Sequence, residues 1–242
     1  MEALGHFTKE DNQRARELFR KASELDPKFG KAFAKVAWSH MMDVTDGFSE
    51  NPESSLADAL RYANLAIERD DAEAWGHYAL AGHCLYCAQY EPAIAAFHRA
   101  LDLNPNDADI LMDFGYCLSC AGRSTEGLDA AQKALRLNPR HPEWYVVQLG
   151  QIYYDSRRYH EAVTALHSLM TIDTVYRWLY LAASHAALGN MTEAKMAVER
   201  IMQIDPSATI VGRTGPQMTP YKSSVDLEHL RENLLKAGLR NE

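Results

Sequence analysis

Glycine and proline are scarce in this chain, 13 and 9 among 242 residues. That scarcity argues against collagen-like or low-complexity sequence and against a fold of many short strands and turns. Long apolar runs are missing too. The most apolar-looking stretch, Trp178 to Leu188, is broken by Ser184 and His185 and falls well short of the roughly 20 residues a membrane-spanning helix needs. No membrane partner is therefore expected. Basic charge is in deficit, 25 Lys and Arg against 33 Asp and Glu for a net charge of −8. With no basic cluster to neutralise a run of phosphates, nucleic acid is not an expected partner. The opening MEALGHFTKEDNQ lacks the basic start and apolar core of a secretory signal. Only four cysteines occur, inside helical patterns rather than loops, which fits a reducing, cytoplasmic compartment. No His-Glu-x-x-His, glycine-rich phosphate loop or Ser–His–Asp arrangement is present, and His160-Glu161 reads as a solvated helix start. Nothing points to an enzyme or to a cofactor.

What is present is repetition. The punctuation Leu-Asp-Pro, Leu-Asn-Pro, Leu-Asn-Pro and Ile-Asp-Pro recurs, ending on Pro27, Pro105, Pro139 and Pro206. Upstream of it small and bulky residues keep one frame: Ala15, Phe19, Ala22; then Ala93, Phe97, Ala100; then Gly127, Ala131, Ala134. The frame continues with Ala162, Leu166, Leu169 and with Ala194, Val198, Ile201. The first markers, Ala15, Ala59, Ala93, Gly127, Ala162 and Ala194, are spaced by 44, 34, 34, 35 and 32 residues. Leu149, Gly150 and Tyr153 add a Leu-Gly-x-x-Tyr signature.

A period near 34 with these markers is similar to the tetratricopeptide repeat (TPR). The resemblance implies an all-α fold, a helix-turn-helix superhelical solenoid in which stacked units share one core. The expected organisation is a partial unit at 1–29 and five units at 30–73, 74–107, 108–142, 143–174 and 175–208. An irregular linker and a C-terminal capping helix, about Val225 to Ala237, would fill 209–242. Leu227, Leu230, Leu234 and Leu235 are expected to form that helix's apolar stripe, with Ser223 and Gly238 as its caps. The 44-residue unit should carry a loop insertion around DVTDGFSENPESS. The six residues before Phe7 are too few for a first helix, so the chain is expected to be cut from a longer one, and its uncapped end could support a homo-oligomer.

A narrower resemblance rests on FTKEDNQRARELFRKASELDP, AWSH, LNPNDAD, RLNPRHPEWY, RRYHEA and the closing PYK and LRENLLKAGL. These look like the C-terminal TPR region of bacterial class III adenylate cyclases, and similar regions occur in bacterial transcriptional regulators. That likeness implies a non-catalytic regulatory or docking part of a larger signalling protein.

The TPR resemblance further implies a concave groove lined by first-helix residues. Carried over, these are Trp38, Met41, Met42, Trp75, Tyr78, Leu85 and Tyr86, then Met112, Tyr116, Trp144, Val147, Gln151, Tyr154, Tyr176 and Leu179. Phe33, Val36, Leu80, Phe114, Leu149 and Leu181 already supply core, so the aromatic and methionine residues are expected to be surplus to it and exposed. Their partner would be a protein or peptide segment with bulky apolar side chains, from a separate protein or an N-terminal domain of the same polypeptide. Trp75 and Trp144, flanking Tyr116, are the expected anchors. Lys31 stands nearly alone, with Asp109 and Asp155 of the wrong sign for a basic clamp on a carboxylate, so binding should respond little to salt.

Two further expectations concern chemistry and packing. Cys84 with Cys87 and Cys117 with Cys120 form two C-x-x-C pairs, on paper a zinc or redox sensor, but their helical placement favours core packing. Gly127 replaces the alanine of the other units, so alanine there should relieve the cost of a helical glycine and stabilise the fold.

Overall fold

The computed structural model describes residues 8–215 and 219–242. Expectations resting on Met1 to Phe7 and on Pro216 lie outside these residues. Every regular element among them is a helix: α1 (Lys9–Leu25), α2 (Gly30–Thr45), α3 (Pro52–Arg69), α4 (Ala74–Tyr86), α5 (Tyr90–Leu103), α6 (Ala108–Cys120), α7 (Ser124–Leu137), α8 (Glu143–Asp155), α9 (Tyr159–His167), α10 (Val175–Ala187), α11 (Met191–Ile204), α12 (Ile210–Arg213) and α13 (Ser224–Ala237). Two compact units divide the chain, Met1–Ile110 and Leu111–Glu242. In the first, α2 packs on α1, α3 and α4, and α5 covers α4. In the second, α8 packs on α7, α9 and α10, while α10 is flanked by α9, α11 and α13.

One turn geometry recurs after four first helices. The N–H groups of Gln89, Arg123, Arg158 and Asn190 reach back to the carbonyls of Cys84, Leu118, Tyr153 and His185 at 2.8, 2.8, 2.8 and 2.9 Å. This is the wide hydrogen bond that closes a helix when the residue before it turns left-handed. Gly122 (φ 82°) and Gly189 (φ 79°) fill that position in two turns, Ala88 (φ 57°) and Arg157 (φ 60°) in the other two. A Cβ in this conformation costs roughly 1–2 kcal/mol. At Arg157 a 2.8 Å ion pair with Asp226 accompanies the strain. Second helices end differently. Asp26, Asn104, Asn138 and Asp205 leave the helix with an N–H bonded four residues back, at 3.0, 2.9, 2.9 and 2.8 Å, and the proline that follows each cannot continue the helix.

The crossing of paired helices explains the small residues. Ala59, Ala93, Ala162 and Ala194 are fully buried, whereas Ala15, in the unit that α1 begins, is half-buried. The α6–α7 crossing is tighter than the rest. A methyl built on Gly127 would stand 2.5 Å from the Gly115 carbonyl oxygen, and one on Gly115 would stand 2.6 Å from that of Gly127. The two backbones touch, so the expected gain from alanine at Gly127 is overturned: the space that the other units give to a methyl is here filled by a carbonyl.

The expected insertion is mostly helix. The extra residues lengthen α2 and α3 and leave only residues 46–51 to join them. Asn51 caps α3 by accepting from the Ser54 N–H at 3.1 Å, and Pro52 sits in the first turn, where its missing N–H costs nothing. At the C-terminus Ser223 and Gly238 (φ 99°) cap α13. Its buried line is Leu230, Asn233, Leu234 and Ala237, and Leu235 is 61% exposed. A step of one residue turns a side chain about 100° around a helix, and beyond the buried Asn233 and Leu234 the next such step carries Leu235 to the solvent side.

Two substitutions test this geometry. Gly127→Ala should lower stability by about 1–3 kcal/mol through overpacking; urea melts showing a gain would refute the backbone contact. Ala88→Gly should raise stability by about 0.5 kcal/mol, the relieved strain exceeding the added unfolded-state entropy; an unchanged or lower midpoint would contradict it.

Candidate functional site

The residues expected to line a groove divide between the two units. In the first, α2 and α4 bring together Trp38, Met41, Met42, Trp75, Tyr78, Leu85 and Tyr86. Trp38 stacks on Tyr78 with centroids 4.6 Å apart, and Trp75 meets Tyr78 edge-on at 5.0 Å. Met41, Trp75, Tyr78 and Leu85 are buried, and Trp38, Met42 and Tyr86 are half-buried. In the second unit Met112, Tyr116, Val147, Gln151, Tyr154 and Leu179 are buried, while Trp144 and Tyr176 are half-buried. The premise that the aromatic and methionine side chains are surplus to the core thus fails for six of the eleven, and Leu85, Val147, Gln151 and Leu179 are buried as well. Phe33 and Leu80, assigned to the core, are themselves only half-buried. Aromatic rings are large enough to serve core and surface at once, so residue type alone did not separate them. Trp75, at 8% exposure, offers little surface for an anchor.

Trp75 is covered in part by charge. Lys35 Nζ lies 3.3 Å from its ring centroid and Lys31 Nζ 5.0 Å away, both in cation–π range. Burial, with Lys31 adding, pushes the Lys35 ammonium down to about 8, against the pull of Asp109, Asp107 and Glu73. Lys31 is therefore not alone. Lys35 sits four residues on, one helical turn along the same face, and that spacing was the signal for it in the sequence.

In the second unit a polar cluster lies among the first helices. Ser119 on α6 donates to Asp155 Oδ2 on α8 at 2.6 Å, and Gln148 donates to Asp113 at 2.5 Å. Tyr221, from the stretch between α12 and α13, donates its hydroxyl to Asp155 Oδ1 and lies 3.2 Å from the Tyr180 hydroxyl of α10. The Lys222 N–H donates to the Cys120 carbonyl at 2.8 Å. The C-terminal helix adds to the cover: Tyr154 donates to the His229 carbonyl at 3.3 Å, Asn233 donates to the Tyr154 hydroxyl at 3.0 Å, and Tyr159 pairs with His229 at 2.8 Å. Gln151 and Tyr154 are thus occupied by the chain's own tail. Burial lifts the Asp155 carboxyl to about 7, although hydrogen bonds from Ser119 and Tyr221 oppose the rise. From sequence Asp155 reads only as a charge of the wrong sign for a clamp, and Tyr221, Ser119 and Tyr180 are not recognised, because the residues that meet are up to 66 positions apart.

The four cysteines lie largely in the core. Cys84, Cys117 and Cys120 are buried and Cys87 is half-buried. Burial raises the thiols of Cys84, Cys87 and Cys120, which favours the neutral form over the thiolate a metal needs. Among the described residues no three His, Cys, Asp or Glu side chains converge to hold a metal ion. Nor is any helix among them long and apolar enough to cross a membrane.

Residues 88–142, from the α4–α5 turn through α7, match the tetratricopeptide repeat family. The small glutamine-rich tetratricopeptide repeat-containing protein 2 of Mycosarcoma maydis is 31% identical over 84 residues, 35% of this chain; the chain spans about a quarter (24%) of that relative's length. Among solved structures, the Cut9–Hcn1 assembly of the APC/C superposes with a TM-score of 0.68 at 17% identity, covering 93% of this chain and 40% of the other. YrrB, described as a TPR protein with an unusual peptide-binding site, superposes with a TM-score of 0.50 at 19% identity, covering 79% and 94%. Residues 88–142 thus carry tetratricopeptide repeat sequence, and the chain shares the all-helical fold of these solved structures.

The raised Asp155 carboxyl predicts a pH dependence. Below about pH 4, the ordinary carboxylate value, Asp155 is protonated folded or unfolded. Between about 4 and 7 the unfolded chain loses the proton that the folded chain keeps, so folded stability falls as pH rises, by at most about 1.4 kcal/mol per pH unit, and levels above 7. Asp155→Asn cannot titrate and escapes this loss. Its stability relative to the parent should therefore improve from pH 4.5 to 7.5 in urea melts; parallel profiles would contradict a buried protonated carboxyl.

Proposed function

We propose that this chain is a non-catalytic protein-interaction scaffold of the TPR type, reading 1–29 as a partial unit, 30–208 as five units and 209–242 as the closing segment. The observation that carries the reading is the first-helix face of the first unit. There Trp38 remains half-exposed on a buried aromatic floor of Tyr78 and Trp75, and Met42 and Tyr86 are half-exposed further along α2 and α4. Large rings held by packing lose little entropy on binding, and such anchors dominate the affinity of a peptide groove. The partner in this reading is a protein segment with one or two bulky apolar side chains. Lys31 and Lys35 at the edge of the same floor favour an acidic residue beside them, so charge contributes more than the sequence suggested.

The setting, a cytoplasmic regulatory part of a larger bacterial signalling protein of the adenylate-cyclase kind, rests on the sequence resemblance alone, as does a partner from the same polypeptide. A zinc or redox sensor draws no support from cysteines of which three are buried and the fourth half-buried.

A random peptide library selected on the full chain should enrich aromatic and large aliphatic residues. Trp38→Ala should weaken the enriched peptides by about 2 kcal/mol with the circular dichroism spectrum unchanged. Peptides that bind equally well to the Trp38→Ala and Tyr86→Ala chains would place the site elsewhere.

A further inference from the structure

The first-helix face of the second unit poses a separate question, because the chain's own tail already lies on it. We propose that this face is a second peptide site, selective for a segment carrying a tyrosine, and that Thr219–Lys222 occupies it in cis until such a segment from another protein displaces it. The proposal shares with the scaffold reading only the idea that first-helix faces hold segments. Failure of library selection on the first unit leaves it standing.

Three observations carry it. First, the tail is held as a peptide ligand is held. A main-chain hydrogen bond, Lys222 N–H to the Cys120 carbonyl at 2.8 Å, fixes the segment's position, and one side chain is read chemically: the Tyr221 hydroxyl donates to Asp155 and meets Tyr180. A phenylalanine there would fill the space but leave the buried Asp155 oxygen without its donor, which is the loss on which specificity for a hydroxyl rests. Second, the seat is imperfectly filled. Gln151 is fully buried, yet its amide nitrogen reaches Tyr221 and Cys120 only at 3.5 and 3.7 Å, and its carbonyl oxygen has no hydrogen-bond partner. A segment that brought a donor to that oxygen would bind better than the tail does. Third, the tail can be reached. Lys222 is exposed and Tyr221 half-buried, so the contact can begin to exchange from its solvent side.

The test uses the full chain and, as probe, a labelled synthetic peptide of residues 219–239. The Tyr221→Ala chain, whose own tail has lost its anchor, should bind the peptide at least tenfold more tightly than the parent chain does. The same peptide carrying Tyr221→Phe should bind that variant at least tenfold more weakly. No binding by a folded Tyr221→Ala chain, or equal binding of the two peptides, overturns the proposal. A concentration-dependent dimer that the peptide dissolves would assign the seat to a second copy and overturn the choice of partner. Should Tyr221→Ala fail to fold, hydrogen exchange on the parent chain decides. The Lys222 amide and α13 should exchange through an opening that leaves α8 and α10 protected, and exchange in step with those helices would mean that the tail is core and cannot be displaced.

Discussion

The approach of two antiparallel helices at a small residue is the constraint on which the rest of this protein depends. Helices packed through ordinary side chains sit about 8–10 Å apart, and only where the crossing position lacks bulk can they come closer and share a continuous core. Ala59, Ala93, Ala162 and Ala194 meet that need with a methyl, each fully buried. At α6 and α7 the demand is stricter, and Gly115 and Gly127 meet it by placing backbone against backbone. Close pairing in turn sets the tight left-handed turns, since a longer connection would let the helices separate. Two of the four turns accept the strain of a non-glycine residue rather than give up that geometry.

Pairing also determines which side chains are left over. A pair buries its crossing positions, so the larger rings must pack beside them or face outward. In the first unit they do both: Trp75 and Tyr78 form a floor, Trp38 lies half-buried on it, and Met42 and Tyr86 are half-buried further along α2 and α4. The ammonium groups of Lys31 and Lys35 stand near the face of Trp75 and add to the cover of a ring that is only 8% exposed.

The second unit solves the same problem with polar chemistry. Its first helices bury two carboxyls, an amide and several hydroxyls, groups that cost stability unless paired. Ser119 and Tyr221 supply donors to Asp155, and α13 supplies partners for Tyr154 and Tyr159. The tail is thus part of the hydrogen bonding of that face as well as a cover for its apolar surface. Gln151, with no partner for its carbonyl oxygen, marks where the match is incomplete.

The local code was legible in the residues. The Ala15-to-Ala194 series and the Asp-Pro and Asn-Pro stops report helix pairing directly, because crossing distance and helix termination depend on single side chains and backbone dihedrals. Ser223 and Gly238 marked the ends of α13 for the same reason. What depended on the neighbours of a side chain could not be read this way. Whether Trp75 is floor or surface, whether Gly127 has room for a methyl, and how much of the insertion around Gly47 forms a loop rather than extending the flanking helices are each decided by atoms from other segments. The pairing of Asp155 with Tyr221 is the clearest case. An acidic residue at a helix end and a tyrosine in an irregular tail carry no mutual signal in the chain, and only the folding of α13 back onto α10 brings them within hydrogen-bonding reach.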